Sequence, residues 1–149
     1  MKTVDITGNL RKEMEKVLDK HRLDHTIGVA YTAASLAFVH GADKDMALTA
    51  GMLHDCAKNI PDDEKLELCK KYGIELNKSE LANPSLIHAK LGEYLAKSKY
   101  GVDDEDILNA IRYHTTGRPA MSLLEKIIYV ADYIEPNRKP LPELDEIRK

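Results

Sequence analysis

Gly51-Met52-Leu53-His54-Asp55-Cys56-Ala57-Lys58 sets an imidazole and a carboxylate side by side behind an apolar, small-residue segment. Neutral imidazole and ionised carboxylate are both good ligands for a divalent transition metal. Adjacent residues on a helix project about 100° apart, so both reach one ion only if it lies between their two directions. Other helices must then complete the shell. A His-Asp pair alone is weak evidence, and its meaning depends on what the flanking chain supplies.

Upstream, Leu10, Met14, Val17 and Leu18 recur at helical spacing and predict a first helix over residues 9–20. His21-Arg22-Leu23-Asp24-His25 opens the next helix, with Asp24 or Arg22 near its N-cap, and Gly41 is placed to end it in a left-handed cap. His21 and His25 stand four residues apart and share a face. A third helix from Asp43 carries Ala47, Ala50 and Gly51, small enough for a neighbouring helix to come close, into His54-Asp55. Cys56 beside that pair reads as a small packing residue, because a hard N/O site needs no thiolate.

Downstream, Asn59 to Asp62 is a turn, a helix over 63–72 closes at Gly73, and 74–84 reads as a loop with a short helical turn. A helix over 86–98 holds His88 in its first turn, and Gly101 breaks it. Asp103 caps a further helix that runs into Tyr113-His114-Thr115-Thr116-Gly117, leaving His114 at its C-terminal end. Ser122-Leu123-Leu124-Glu125 is a capping box. The helix it opens places Leu124, Ile127, Ile128 and Ala131 on one stripe, and Asp132 falls on that same stripe. A carboxylate there needs a compensating charge or several hydrogen bonds. Pairing with Arg112 or Lys126 is the ordinary alternative to a metal. A last short helical segment is expected over 143–149.

These 149 residues, 43% apolar and 32% charged, suit one soluble globular domain with a real core. Absent Trp, a single Phe and abundant Ala, Leu, Lys and Glu favour helix. The expected fold is all-α, a bundle of six to eight helices. A formal charge of −3 offers no general attraction to nucleic acid polymers or anionic membranes, so phosphate recognition must be local. No apolar run approaches the roughly 20 residues of a membrane span, and no signal-peptide core opens the chain. Cys56 and Cys69 form no C-x-x-C pair and read as free thiols in a reducing, cytoplasmic compartment.

His25, His54-Asp55 and Asp132 together offer two imidazoles and two carboxylates, leaving open positions on a six-coordinate ion. In this order the four residues resemble the HD superfamily of metal-dependent phosphohydrolases. The segments around His21–Val29, Leu53–Lys58, Arg112–Gly117 and Ala131–Arg138 narrow the resemblance to the bacterial YqeK-type family, symmetrical diadenosine tetraphosphate hydrolases that release two ADP. That resemblance implies metal binding by His25, His54, Asp55 and Asp132, with iron first and manganese or cobalt as alternatives. It implies catalytic parts for His54, Asp55, Lys58, His88 and His114. It also implies that nucleotide and phosphate are lined by these residues and by His21, His25, Thr115, Asp132 and Arg138. Two other readings keep the fold: an HD-type nucleotidase acting on another nucleotide, and a non-catalytic nucleotide-binding module. The chain is expected to be a single HD domain over 1–149, without the helical extension that members of that family usually carry at the C-terminus. One or two ions and a homodimer are left open.

Overall fold

The computed structural model describes residues 6–136, with side chains from residue 8 onward. Eight α-helices follow one another in this span: α1 (Ile6–Val17), α2 (Lys20–His40), α3 (Lys44–Leu53), α4 (Asp62–Tyr72), α5 (Lys78–Ala82), α6 (Ile87–Ser98), α7 (Glu105–Arg112) and α8 (Leu123–Ile134). A 3-10 turn, Pro84–Leu86, leads into α6, and no strand occurs among the described residues. Arg138 and the helical segment expected over 143–149 lie outside the described residues.

The long helix α2 is the spine. α3 packs along it more extensively than any other helix, and α8 lies against both. The close approach of α2 and α3 has a residue-level cause. A Cβ built on Gly51 would stand 2.6 Å from the Ala30 Cα, so the two backbones meet where neither carries a bulky side chain. Met14, Val29, Ala33, Ala37, Ala47, Ala50, Leu53, Ile111 and Ile128 fill the core between α1, α2, α3, α7 and α8. Alanines dominate the α2–α3 side of this list, which keeps the helices near enough for short polar side chains at their ends to touch.

Two expected caps are corrected. The break between α1 and α2 falls at Leu18-Asp19, and Asp19, not Asp24 or Arg22, is the N-cap, its carboxylate accepting from the Arg22 amide at 2.8 Å. Asp19 is itself held by Asn59 through a reciprocal pair of hydrogen bonds, 2.9 and 3.1 Å. Similarly Asp104, not Asp103, caps α7, accepting from the Asp106 and Ile107 amides. Other punctuation is as expected. Gly41 (φ 79°) and Gly73 (φ 69°) end α2 and α4 in the left-handed region. Ser122 and Glu125 form the capping box of α8. Tyr31 and Phe38, on the outer side of α2, are exposed.

Candidate metal centre

The expected ligands come from α2, α8 and the turn that follows α3, and they converge with His88 and His114. His25 is on α2. His54 and Asp55 follow directly on the last turn of α3, where His54 keeps helical φ and ψ as the C-cap. Asp132 is on the last turn of α8. His88 is in the first turn of α6, and His114 sits just past the C-cap of α7. Asp132 is less enclosed than the apolar stripe suggested: its side chain is 18% exposed, while His25, His54 and Asp55 are buried. Arg112, one of its alternative partners, faces Glu93 at 3.5 Å instead.

Four ring nitrogens face two carboxylates. His25 Nε2 lies 2.8 Å from Asp132 Oδ1 and 3.7 Å from Asp55 Oδ2. His54 Nε2 lies 3.3 Å from the same Asp55 oxygen and 3.5 Å from Asp132 Oδ1. The other Asp55 oxygen, Oδ1, is 3.2 Å from His88 Nε2 and 3.3 Å from His114 Nε2, and those two nitrogens are 3.2 Å apart. Asp55 therefore joins two sets of ligand atoms, one on each oxygen.

Each imidazole is turned by its far nitrogen. His54 Nδ1 donates to the Gly51 carbonyl, His88 Nδ1 to that of Ser85 and His114 Nδ1 to that of Ile111, each at 2.6 Å. A carbonyl can only accept, so Nδ1 carries the proton and Nε2 presents its lone pair inward when the ring is neutral. This is the arrangement that orients histidine for a metal.

The residues fit a divalent ion. Bonds of about 2.1 Å at tetrahedral or octahedral angles put neighbouring ligand atoms roughly 3.0–3.4 Å apart, close to most of the separations above. His54 Nε2, wholly buried, meets no well-formed hydrogen-bond partner among the described residues, a costly state for a polar atom unless something else meets it. The lone pairs of His88 and His114, 3.2 Å apart, would also repel unless a cation lay between them. His25 with His54 and Asp55, His54 with His114 and Asp132, and Asp55 with His88 and His114 each hold three ligand atoms within 4.8 Å of one another.

The charges tell the same story. Burial pushes the Asp55 carboxyl up, but His54 and the neighbouring rings of His114 and His88 overcome it, and its pKa falls well below the usual range. Asp132 is likewise held low against burial by His25 and His54. Burial disfavours an imidazolium at His54, yet Asp55 and Asp132 raise its pKa to about 10. Without an ion, the cluster thus balances its carboxylates with a proton on His54. For His88, burial prevails over Asp55 and the pKa falls.

Around this centre stand two cations. Lys58 is half-buried, its pKa lowered by burial first, raised by Asp55 and lowered again by Arg22 and Lys65. The Arg22 guanidinium donates to Asp55 Oδ2 at 3.0 Å and is 26% exposed. Thr115 keeps a buried hydroxyl without a hydrogen bond among the described residues. His21 lies one turn before His25 on α2 but is exposed and joins none of these close contacts among the described residues. Cys56 stays out of the centre: its thiol donates to the Gly92 carbonyl at 3.6 Å, and burial pushes its pKa up to about 12.

Two residues of the centre escaped the sequence reading. Glu135, fully buried, accepts from His25 Nδ1 at 3.0 Å. Its signal was position, one helical turn beyond Asp132. Arg22 stands one turn before His25, where the sequence alone reads as a helix start.

An all-α bundle that gathers histidines and an adjacent His-Asp pair around one centre defines an HD-domain protein, and residues 22–137 match the HD domain family. The symmetrical bis(5'-nucleosyl)-tetraphosphatase of Bacillus subtilis is 49% identical over 136 residues, which are 91% of this chain and 72% of that protein. Its counterpart in Halalkalibacterium halodurans is 46% identical over 88% of this chain and 69% of its own length. A crystal structure of a predicted HD superfamily hydrolase involved in NAD metabolism from Clostridium acetobutylicum superposes with a TM-score of 0.89 at 46% identity, covering 95% of this chain and 74% of that one. The chain belongs to the HD-domain family, in its branch of symmetrical bis(5'-nucleosyl)-tetraphosphatases.

Proposed function

We propose that this protein is a metal-dependent hydrolase that cleaves diadenosine tetraphosphate at its central bridge into two ADP, with residues 1–149 forming one catalytic domain. The observation that carries the reading is the convergence of four imidazole Nε2 atoms on Asp55 and Asp132 in a chain 49% identical to a symmetrical tetraphosphatase.

His25, His54, Asp55 and Asp132 hold the first ion, and Asp55, His88 and His114 offer a second set of ligands. Imidazole and carboxylate suit several divalent ions, and the family resemblance puts iron first, with manganese or cobalt able to replace it. A divalent ion at this place acidifies water and polarises a phosphoryl oxygen. The protein's own part is to bind and orient. Lys58 and Arg22 set positive charge beside an otherwise anionic cluster, where a polyphosphate substrate needs it. His88, whose lowered pKa keeps its Nε2 lone pair free, and His114 stand where a ring nitrogen can take the second ion or, when protonated, pass a proton to the departing phosphate. The family resemblance adds His21, Thr115 and Arg138 as further contacts for the nucleotide. Among the described residues no helix is long and apolar enough to cross a membrane, and the two unpaired cysteines support work in the cytoplasm.

Incubating the protein, loaded with ferrous, manganous or cobaltous ion, with diadenosine tetraphosphate and separating the products by chromatography tests the reading. ADP as sole product is expected. AMP with ATP, or no turnover with any of the three ions, overturns it.

A further inference from the structure

The four imidazoles of the centre are not held alike. His54, His88 and His114 each donate Nδ1 to a backbone carbonyl three residues earlier in their own segment. Such a tether is local, neutral and available to any helical histidine. His25 is the exception. Its Nδ1 partner is a carboxylate, Glu135, 110 residues away on the far end of α8, and that side chain is fully buried. Asp132 on the last turn of α8 and Glu135 at its C-cap grip the two nitrogens of the same ring, Oδ1 on Nε2 at 2.8 Å and Oε1 on Nδ1 at 3.0 Å.

Burying a carboxylate at the end of a helix is expensive. The helix C-terminus is the negative end of the macrodipole and disfavours an anion, and the Glu135 amide already closes the last turn on the Ala131 carbonyl at 3.0 Å. A carbonyl would have sufficed to choose the tautomer, as it does three times over. What a carboxylate adds is charge: it pulls on the Nδ1 proton and pushes electron density to Nε2, making that nitrogen a stronger donor to a cation.

From this asymmetry we infer that Glu135 is a positioning residue for the ion, its buried carboxylate fixing the His25 ring with Nδ1 protonated and strengthening Nε2 as a ligand. The inference rests on the metal reading of the centre. His25 is thereby the anchoring imidazole of the four, and α8 contributes to the ion twice, directly through Asp132 and through His25 by way of Glu135.

Titration of the ion-free protein with cobalt(II), followed by its visible absorption, tests this in three proteins. Wild type is expected to bind cobalt stoichiometrically. Glu135→Gln keeps an oxygen that can accept from Nδ1 but removes the charge, and it should bind cobalt about 10–100-fold more weakly, with a displaced absorption band and unchanged helix content. Glu125→Gln alters the other buried glutamate of α8, which pairs with Arg118, and should leave cobalt affinity unchanged even if stability falls. Equal affinity and spectrum in Glu135→Gln and wild type overturn the inference, and so does equal weakening by Glu125→Gln. Wild-type protein that takes up no cobalt overturns the metal reading and this inference with it. A further readout needs no variant: in zinc-loaded wild type, nitrogen-15 spectra of the His25 ring should show protonated Nδ1 and metal-bound Nε2, and the opposite tautomer sinks the idea.

Discussion

His54 and its neighbour Gly51 carry two separate demands within one turn of chain. Gly51 lends its carbonyl to His54 Nδ1 at 2.6 Å and, by lacking a side chain, lets α3 rest on Ala30. Gly51→Ala would push a methyl to 2.6 Å from a backbone atom of α2, which only a shift of one helix can relieve. Overpacking of this kind costs about 1–3 kcal/mol, so the urea midpoint should fall, and an unchanged midpoint refutes the close-contact argument. Substitutions at the centre should separate ion holding from substrate holding. Asp132→Asn removes a charge that faces both His25 and His54 and should abolish stoichiometric metal and turnover together. Lys58→Ala should keep its metal while KM rises. Metal lost from Lys58→Ala as well, measured by elemental analysis, would mean that the cation supports the ion site rather than the substrate.

At the scale of elements, α8 carries the most. Its start is secured by Ser122, which accepts from the Glu125 amide at 3.1 Å and donates to Asp106 on α7 at 2.6 Å, while Arg118 meets Glu125 through two bonds of 2.8 and 2.9 Å. Ser122→Ala loses the cap and should cost about 1 kcal/mol, seen as a lower melting temperature. Glu125 supplies a pH dependence. Burial raises its pKa, but Arg118 and Ser122 outweigh that and hold the folded value below the ordinary one. A depressed carboxyl stabilises above its unfolded pKa, about 4.3, and that stability is lost as pH falls through the folded value. In Arg118→Ala the buried carboxyl loses its counter-charge and its folded pKa rises, so the variant should melt furthest below wild type at pH 7, with the gap closing as pH falls in a melting series from pH 7 to 3. Superimposable series would refute the pairing. These local devices are also what could be read in the sequence. The capping box, the closing glycines and the His54-Asp55 pair depend on residues a few positions apart, and all three are found where the spacing puts them. The start of α2 was misread because Leu18 continues the apolar stripe of α1, whereas what stops that helix is a bond between Asp19 and Asn59, 40 residues apart. Asp103 and Asp104 are equally good caps by composition, and in the fold it is Asp104 that accepts from the Asp106 and Ile107 amides. Glu135 could not be read as a partner of His25, because α2 and α8 meet only in the folded chain.

On the scale of the whole molecule, the centre ties α2, α3, α6, α7 and α8 into one unit, so an ion there should report on global stability. Without it, His54 bears the compensating proton. Its folded pKa, about 10, stands above its ordinary value of 6.5. In the ion-free protein this pair therefore contributes stability fully below pH 6.5, and loses it as pH climbs through about 10. Asp55 and Asp132, held low, contribute above the ordinary carboxylate range and fail only in acid. An incoming cation must displace the His54 proton, because a protonated Nε2 has no lone pair to offer. Two consequences can be measured. Uptake of zinc or cobalt at pH 7 in weak buffer should release about one proton for each ion at this ligand set, and affinity should rise about tenfold per pH unit between pH 6.5 and 8.5. At an ion concentration of about 100 times Kd, the folded state gains about 2.7 kcal/mol, which for a chain of this size raises the melting temperature by about 5–10 °C. Chelation should reverse the rise, and Asp132→Asn should not show it. Ion uptake without proton release would mean that His54 is neutral before the ion arrives, and that the two carboxylates are balanced instead by Arg22 and Lys58.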